Sequence, residues 1–291
     1  MNADIFRPRR STKTRATRTL FALLCVSVLA IALVPPAQSV ARAVLAKSSA
    51  GSQKQKAPPA KDAPRAAVVP FHVGEQLEYR LSWATFLTAG TIRLSVVERR
   101  TLYGWDAWHF RATGSSESPL RTLFTIDDEF DSYTDAATFV SHQFESYLDE
   151  LGRKEKNIME LTPQGTVPRG TVASVIVPPA TRDPLDFIES VRAFDWERYP
   201  ELRVPVFDGK NLYDIHAARD AADEKITVPA LTCDATRIGI HVFAAGKELD
   251  HTKILIWLQR DGARMPVAIE ADLPLGTFRM ELSSIAASAN P

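Results

Sequence analysis

The densest group of chemically capable side chains in this chain is Asp127, Asp128, Glu129, Asp131 and Asp135. Oxygen ligands so closely set could hold Ca²⁺, but their spacing departs from the helix–loop–helix calcium loop and no glycine supplies its sharp turn. In an extended strand Asp127, Glu129 and Asp131 would share one solvated face. Paired carboxylates such as Asp128 with Asp131, or Glu145 with Asp149, could also act on a glycan, a chemistry that needs two carboxyls about 5 to 10 Å apart. The histidines His72, His109, His142, His216, His241 and His251 are scattered, with neither an HExxH pair nor a Cys/His ligand spacing. Gly114-Ser115-Ser116 lacks the GxSxG elbow, and there is no glycine-rich phosphate loop. No residue is therefore assigned to catalysis, to a cofactor or to a metal.

Aromatic side chains are the remaining resource. Tyr79, Trp83, Trp105, Trp108, Phe110, Phe144, Tyr147 and Trp257 fall in strand-like runs. On the concave side of a curved sheet such residues can enclose an apolar ligand. Tyr79, Trp83, Phe110 and Trp257 are the expected apolar ligand face, and a filled core made of the same residues is the alternative.

The elements that must position them read as strands. Leu77, Tyr79, Leu81 and Trp83 alternate with Glu78, Arg80 and Ser82, while Ile92, Leu94 and Val96 alternate with Arg93 and Ser95. A period of two makes a half-buried strand, and Thr88-Ala89-Gly90 reads as the hairpin connection. A dozen similar short runs follow up to Leu282, with turn chemistry at Asp208-Gly209 and Asp261-Gly262. One segment breaks the rhythm. Leu185, Ile188, Val191 and Phe194 recur three apart behind Asp183-Pro184, which predicts one amphipathic helix with Asp183 as N-cap and Pro184 in the first turn. The expected fold is mainly β: a large antiparallel curved sheet or barrel-like fold, with the helix capping one end of its core.

Residues 1–43 read as a secretory signal peptide. Arg7, Arg9, Arg10, Lys13, Arg15 and Arg18 precede the apolar run Leu20 to Val34, and Ala41-Arg42-Ala43 suits cleavage before Val44. An uncleaved anchor is the alternative, although the run is short for a span of ~20 residues, and no membrane span is expected in the mature chain. Residues 44–69, rich in Ala, Lys, Pro, Ser and Gln and lacking aromatics, read as a disordered linker. Residues 70–291 then form a single β-rich domain. Of 35 basic and 35 acidic residues, 12 and 2 lie in residues 1–69, leaving 23 and 33 for the rest, a net of −10. That charge repels nucleic-acid phosphates and anionic headgroups. Without Cys25 of the leader only Cys233 remains, so stability must come from a core rather than from a disulfide.

Several phrases, taken in order, carry a resemblance. Phe71-x-Val73-Gly74-Glu75-x-Leu77-x-Tyr79, Trp83, Ala89-Gly90, Asp131-Ser132-Tyr133-x-Asp135, Val206-Phe207-Asp208-Gly209-Lys210, and Ile256-Trp257-Leu258-x-x-Asp261-x-x-Arg264-x-Pro266-Val267 with Gly276 resemble the bacterial DUF3108 family. The resemblance implies an exported, mostly antiparallel β protein of unassigned function and brings no catalytic set. Locally, Gly74 and Gly90 suit turns, Asp208-Gly209 a hairpin, and Arg264 a bridge to Asp261. The expected function is that of a non-enzymatic protein of a Gram-negative-type periplasm or cell envelope, binding a lipid or other amphiphile, or a partner protein, in envelope assembly or maintenance. The alternative is an envelope glycan hydrolase using sheet carboxylates such as Asp128 and Asp131.

Overall fold

The computed structural model describes residues 69–84, 87–220, 223–250, 252–273 and 276–287. The expected signal peptide, its cleavage before Val44, nearly all of the linker, and His251 lie outside the described residues. Fifteen strands and one α-helix are described: β1 Glu75–Trp83, β2 Leu87–Leu102, β3 Trp105–Ser116, β4 Asp127–Asp135, β5 Ser141–Glu150, β6 Arg153–Pro163, β7 Ala173–Val177, α1 Pro184–Ala193, β8 Glu201–Phe207, β9 Leu212–Arg219, β10 Glu224–Val228, β11 Leu231–Ala244, β12 Lys247–Glu248, β13 Lys253–Gln259, β14 Pro266–Leu273 and β15 Gly276–Ala287. All strands belong to one sheet, in the order β7-β6-β5-β4-β3-β2-β1-β15-β14-β13-β11-β9-β8, with β10 and β12 also paired to β11. Only the β6–β7 pair is parallel. The mainly β, barrel-like fold with one helix expected from the period-two alternation is the fold observed.

A two-residue segment links β8, at one end of this sheet, to β5 near the other. Ser141 N of β5 donates to Thr181 O at 3.1 Å, Arg182 N donates to Pro205 O of β8 at 2.9 Å, and Phe207 N donates back to Arg182 O at 2.9 Å. The polypeptide leading into α1 therefore sits between the start of β5 and β8, and pairs the edge that β8 would otherwise leave open.

Register explains the core. Leu81 opposes Met280, Met280 opposes Ile269, Ile269 opposes Ile256 and Ile256 opposes Ile238, and all five are buried. Cross-strand apolar pairs of this kind are what stabilises a sheet face. In β1 and β15 they alternate with Arg80, Arg279 and Glu281, which turns one face inward and the other toward solvent.

The β1–β2 connection differs from the sequence expectation. Thr88, Ala89 and Gly90 lie inside β2 rather than in the turn. Gly90 is required for a close approach instead: a Cβ there would stand 2.1 Å from the carbonyl oxygen of Ser115 in β3. Gly90→Ala is expected to cost roughly 1 to 3 kcal/mol, the range for forcing extra volume into packed structure, and a urea melt unchanged by the substitution would contradict this packing. Gly74, by contrast, has φ +89° and does serve a turn.

α1 lies across the rim that holds the start of β1 and the end of β13. Asp183 caps it, accepting from Leu185 N at 2.9 Å and Asp186 N at 3.0 Å, and Pro184 occupies the first turn. The helix is not half-solvated as an amphipathic pattern implies. Every residue from Pro184 to Arg192 is buried, including Asp186, Glu189 and Arg192. Only about 10 Å³ remains between it and β2–β3, no more than one water can fill.

Candidate functional site

Alternation along β4 and β5 decides which polar groups can meet. Ser132 of β4 donates to Asp183 Oδ2 at 2.5 Å, beside α1, so Ser132, Phe130 and Asp128 point inward while Glu129, Asp131 and Tyr133 point outward. The polar groups then fall into three places: around α1, on the outer face, and at the rim opposite α1.

Around α1 the polar side chains bond one another. Arg192 grips Glu75 through Nη1 and Nη2 at 2.5 and 2.9 Å, and its Nε donates to Ala263 O at 2.9 Å. Glu189 stands 3.5 Å from the same guanidinium. Burial, together with nearby Glu75, lifts the Glu189 carboxyl above its ordinary range against the pull of Arg192. Asp186 accepts from Arg182, Ser141 and Ser190 at 3.3, 3.2 and 3.3 Å. Each buried charge is thereby held by at least one partner, as a dry interior requires.

On the outer face Asp131 accepts from His109 Nε2 at 2.5 Å and Arg111 Nε at 2.8 Å. Burial pushes the Asp131 carboxyl up, but these two donors outweigh it and leave it below the ordinary range. His109 stacks on Tyr133 with ring centroids 4.4 Å apart. Alongside, Tyr147 and Gln143 donate to Glu145, and Tyr103 donates to Gln143. The calcium candidates are committed elsewhere. Asp127 pairs with Arg121 at 2.7 Å, and Asp135 accepts from Ala137 N and Thr138 N. No cluster able to hold a metal occurs among the described residues.

The rim opposite α1 gathers the end of β1, the start of β2, the start of β4 and the end of β5. Trp83, Leu87, Phe124 and Leu148 are partly buried there, packed against the core. Trp83 stacks on Phe278 at 5.9 Å with planes 3° apart. On the same rim β4 and β5 carry a pair of inward carboxyls. Ile126 bridges Glu150, and Glu129 pairs with Tyr147, so Asp128 and Glu150 project to the same side. Asp128 is 3% exposed; its Oδ1 accepts from Asp149 N at 3.0 Å, while its Oδ2 and Glu150 Oε1 are buried with no hydrogen-bond partner. Burial raises Asp128 to about 6, with the negative charges of Asp127 and Asp149 adding to it against the Asp149 N–H. Burial raises Glu150 to about 7, with Asp128 adding to it and Lys210 opposing.

The four residues expected to form one apolar face do not lie together. Tyr79 is buried and donates to Pro266 O at 2.8 Å, and Phe110 packs edge-on against Phe71 at 5.4 Å, both toward α1. Trp83 is at the far rim of the same inner face. Trp257 opposes Arg237 and Ala268 on the outer face, where its Nε1 donates to Glu224 at 2.5 Å and Arg279 lies 5.1 Å over its ring. Asp128 and Asp131, named together for glycan chemistry, project to opposite sides of β4 because an odd separation in a strand changes face. Arg264 does not bridge Asp261 either: it donates to Phe194 O at 2.8 Å, while Asp261 accepts from Ala263 N and Arg264 N. Glu150 was not singled out from the sequence, although the inward alternation Phe144, Ser146, Leu148, Glu150 carries the signal.

No curated protein matches this chain. Among solved structures it is similar to a β-barrel-like protein of the domain of unknown function DUF1849 from Brucella abortus, at 11% identity over 75% of this chain and 99% of that one, with a TM-score of 0.48. A candidate lipoprotein from Parabacteroides distasonis is similar at 14% identity over 77% and 100%, with a TM-score of 0.37. A candidate exported protein with a YmcC-like fold from Bacteroides fragilis is similar at 11% identity over 76% and 100%, with a TM-score of 0.31. A family model described as a protein of unknown function, DUF3108, matches residues 78–283, the span that runs from within β1 through the helix and into β15, and the chain belongs to the DUF3108 family.

Proposed function

We propose that this chain is a non-enzymatic protein of the bacterial periplasm or cell envelope that binds an amphiphile at the rim opposite α1. In this reading residues 1–43 are the export signal, residues 44–69 the tether and residues 70–291 the folded domain. What supports it is that one rim carries Trp83, Leu87, Phe124 and Leu148, each partly buried and packed against the core, and, on β4 and β5, two carboxyls with unpartnered oxygens. Apolar side chains around a few convergent polar groups are the ordinary make-up of a ligand site.

The test is binding of a single-chain lysophospholipid, read by tryptophan fluorescence and calorimetry, beside mass spectrometry of lipids retained by the protein from its native envelope. Trp83→Ala should weaken binding about tenfold or more, since each 1.4 kcal/mol of lost contact is a factor of ten. The cost to folding should be smaller, because Trp83 is only partly buried. Binding unaffected by Trp83→Ala, or no binding at all, would refute the reading.

A further inference from the structure

We infer that Asp128 and Glu150 form a head-group subsite for a primary ammonium, so that the amphiphile taken up at this rim is an amine-headed one; this rests on the amphiphile reading above. Asp128 is 97% removed from solvent by its 3% exposure, and one of its oxygens meets no donor. Glu150, on the same inward side of the neighbouring strand, also presents a buried oxygen without a donor. Two such acceptors in one place ask for a donor that enters with the ligand, because a buried polar group left unpaired costs about 1 to 3 kcal/mol.

The surroundings narrow that donor's chemistry. Acting on the pair are the charges of Asp127, Asp149 and Glu155 and of Lys210 in the β8–β9 turn, with Asp127 and Asp149 themselves paired to Arg121 and Lys154. An anionic head group would meet the two ionised carboxylates themselves unfavourably. A quaternary ammonium carries the right charge but no N–H. A primary ammonium offers three donors on a compact charge and can serve both carboxylates, and charge-assisted bonds of this kind are about twice as strong as neutral ones. Lys210 is exposed and its charge acts on Glu150, so a phosphate attached to the amine would find a positive partner there. The acyl chain would then run along Leu148, Phe124 and Trp83.

The experiment compares lysophosphatidylethanolamine, lysophosphatidylcholine and lysophosphatidylglycerol of one acyl chain, by calorimetry on the mature protein at pH 8. The ethanolamine lipid should bind about tenfold tighter than the choline lipid, the equivalent of one charge-assisted hydrogen bond of ~1.4 kcal/mol, and the glycerol lipid should bind weakest. Asp128→Asn and Glu150→Gln should each erase that preference, with a far-UV circular dichroism spectrum like that of the parent protein showing that the variants fold. Equal binding of all three lipids would overturn the head-group assignment and leave the amphiphile reading standing. A preference that survives both substitutions would overturn it as well, and binding of none of the three would remove both.

Discussion

Arg192→Met is expected to destabilise the protein by about 3 to 5 kcal/mol, the cost of removing one partner from a buried ion pair. Arg192 is wholly buried yet ends in four hydrogen bonds: two to Glu75, one to Ala263 O and one to Pro70 O at 3.2 Å. Methionine would fill much of the aliphatic volume and leave Glu75 and Glu189 facing each other without a counter-charge. Two carboxylates in that position must take up a proton or let water in. The guanidinium also lies 5.6 Å over Phe71, so the loss extends to the residues that lead into β1. Urea melts give the number. The mechanism is tested by Glu75→Gln/Glu189→Gln/Arg192→Met, which should recover a large share of the loss, because the penalty comes from uncompensated charge rather than from a missing contact. A triple variant as unstable as Arg192→Met would mean that shape, not charge, makes Arg192 necessary.

The second large effect is on pH. Raising the pH from about 4.5 to about 7 should lower the unfolding free energy, with a slope approaching 1.4 kcal/mol per pH unit for each proton that the folded state holds in excess. Asp128 at about 6 and Glu150 at about 7 both lie above ordinary carboxyls because they are buried. Burial also lifts Asp183 and Asp186. For a raised pKa the stabilising contribution is complete below the unfolded-state value and is lost as the pH passes the folded-state value. The opposite contribution comes from Asp106, Asp131, Asp135, Glu201 and Asp223, whose carboxyls are held low by their donors. Theirs is lost only in more acid solution, so the windows separate. Denaturant melts at pH 5 and pH 7.5, with Asp128→Asn as the control that removes about 1 kcal/mol of the difference between them, check the sign. A stability that climbs steadily from pH 5 to 7.5 would contradict the raised carboxyls.

Much of the architecture was legible in the residues. Leu77, Tyr79 and Leu81 announced β1 because burial of one face imposes a period of two, and Asp183-Pro184 announced α1 because its free N–H groups need a cap. What the alternation could not supply was closure. Whether Thr88-Ala89-Gly90 turns or continues depends on Ser115 across the ladder, not on its neighbours in the chain. Trp257 illustrates the same limit at the site. The run Lys253 to Gln259 is apolar at Ile254, Leu255, Ile256, Trp257 and Leu258 in succession, so period two is lost and the face of the tryptophan is set by its partners Arg237 and Ala268. The carboxyl pair was hidden for a similar reason. Asp128 and Glu150 are 22 positions apart and meet only because β4 and β5 run antiparallel.

The segment Thr181-Arg182 joins β5 to β8 and passes directly into the cap residue of α1. Seam and lid are therefore one piece of chain, and they share a fate. Parting β8 from its neighbour pulls on Asp183, whose carboxylate holds the first turn of the helix and the Ser132 hydroxyl; withdrawing the helix in turn unzips the seam. The barrel cannot breathe along its side while its stopper stays seated. Opening that side and releasing the helix should therefore occur as one cooperative event, while the rim at Trp83 lies at the other end of β1 from the Glu75 that Arg192 of the helix holds.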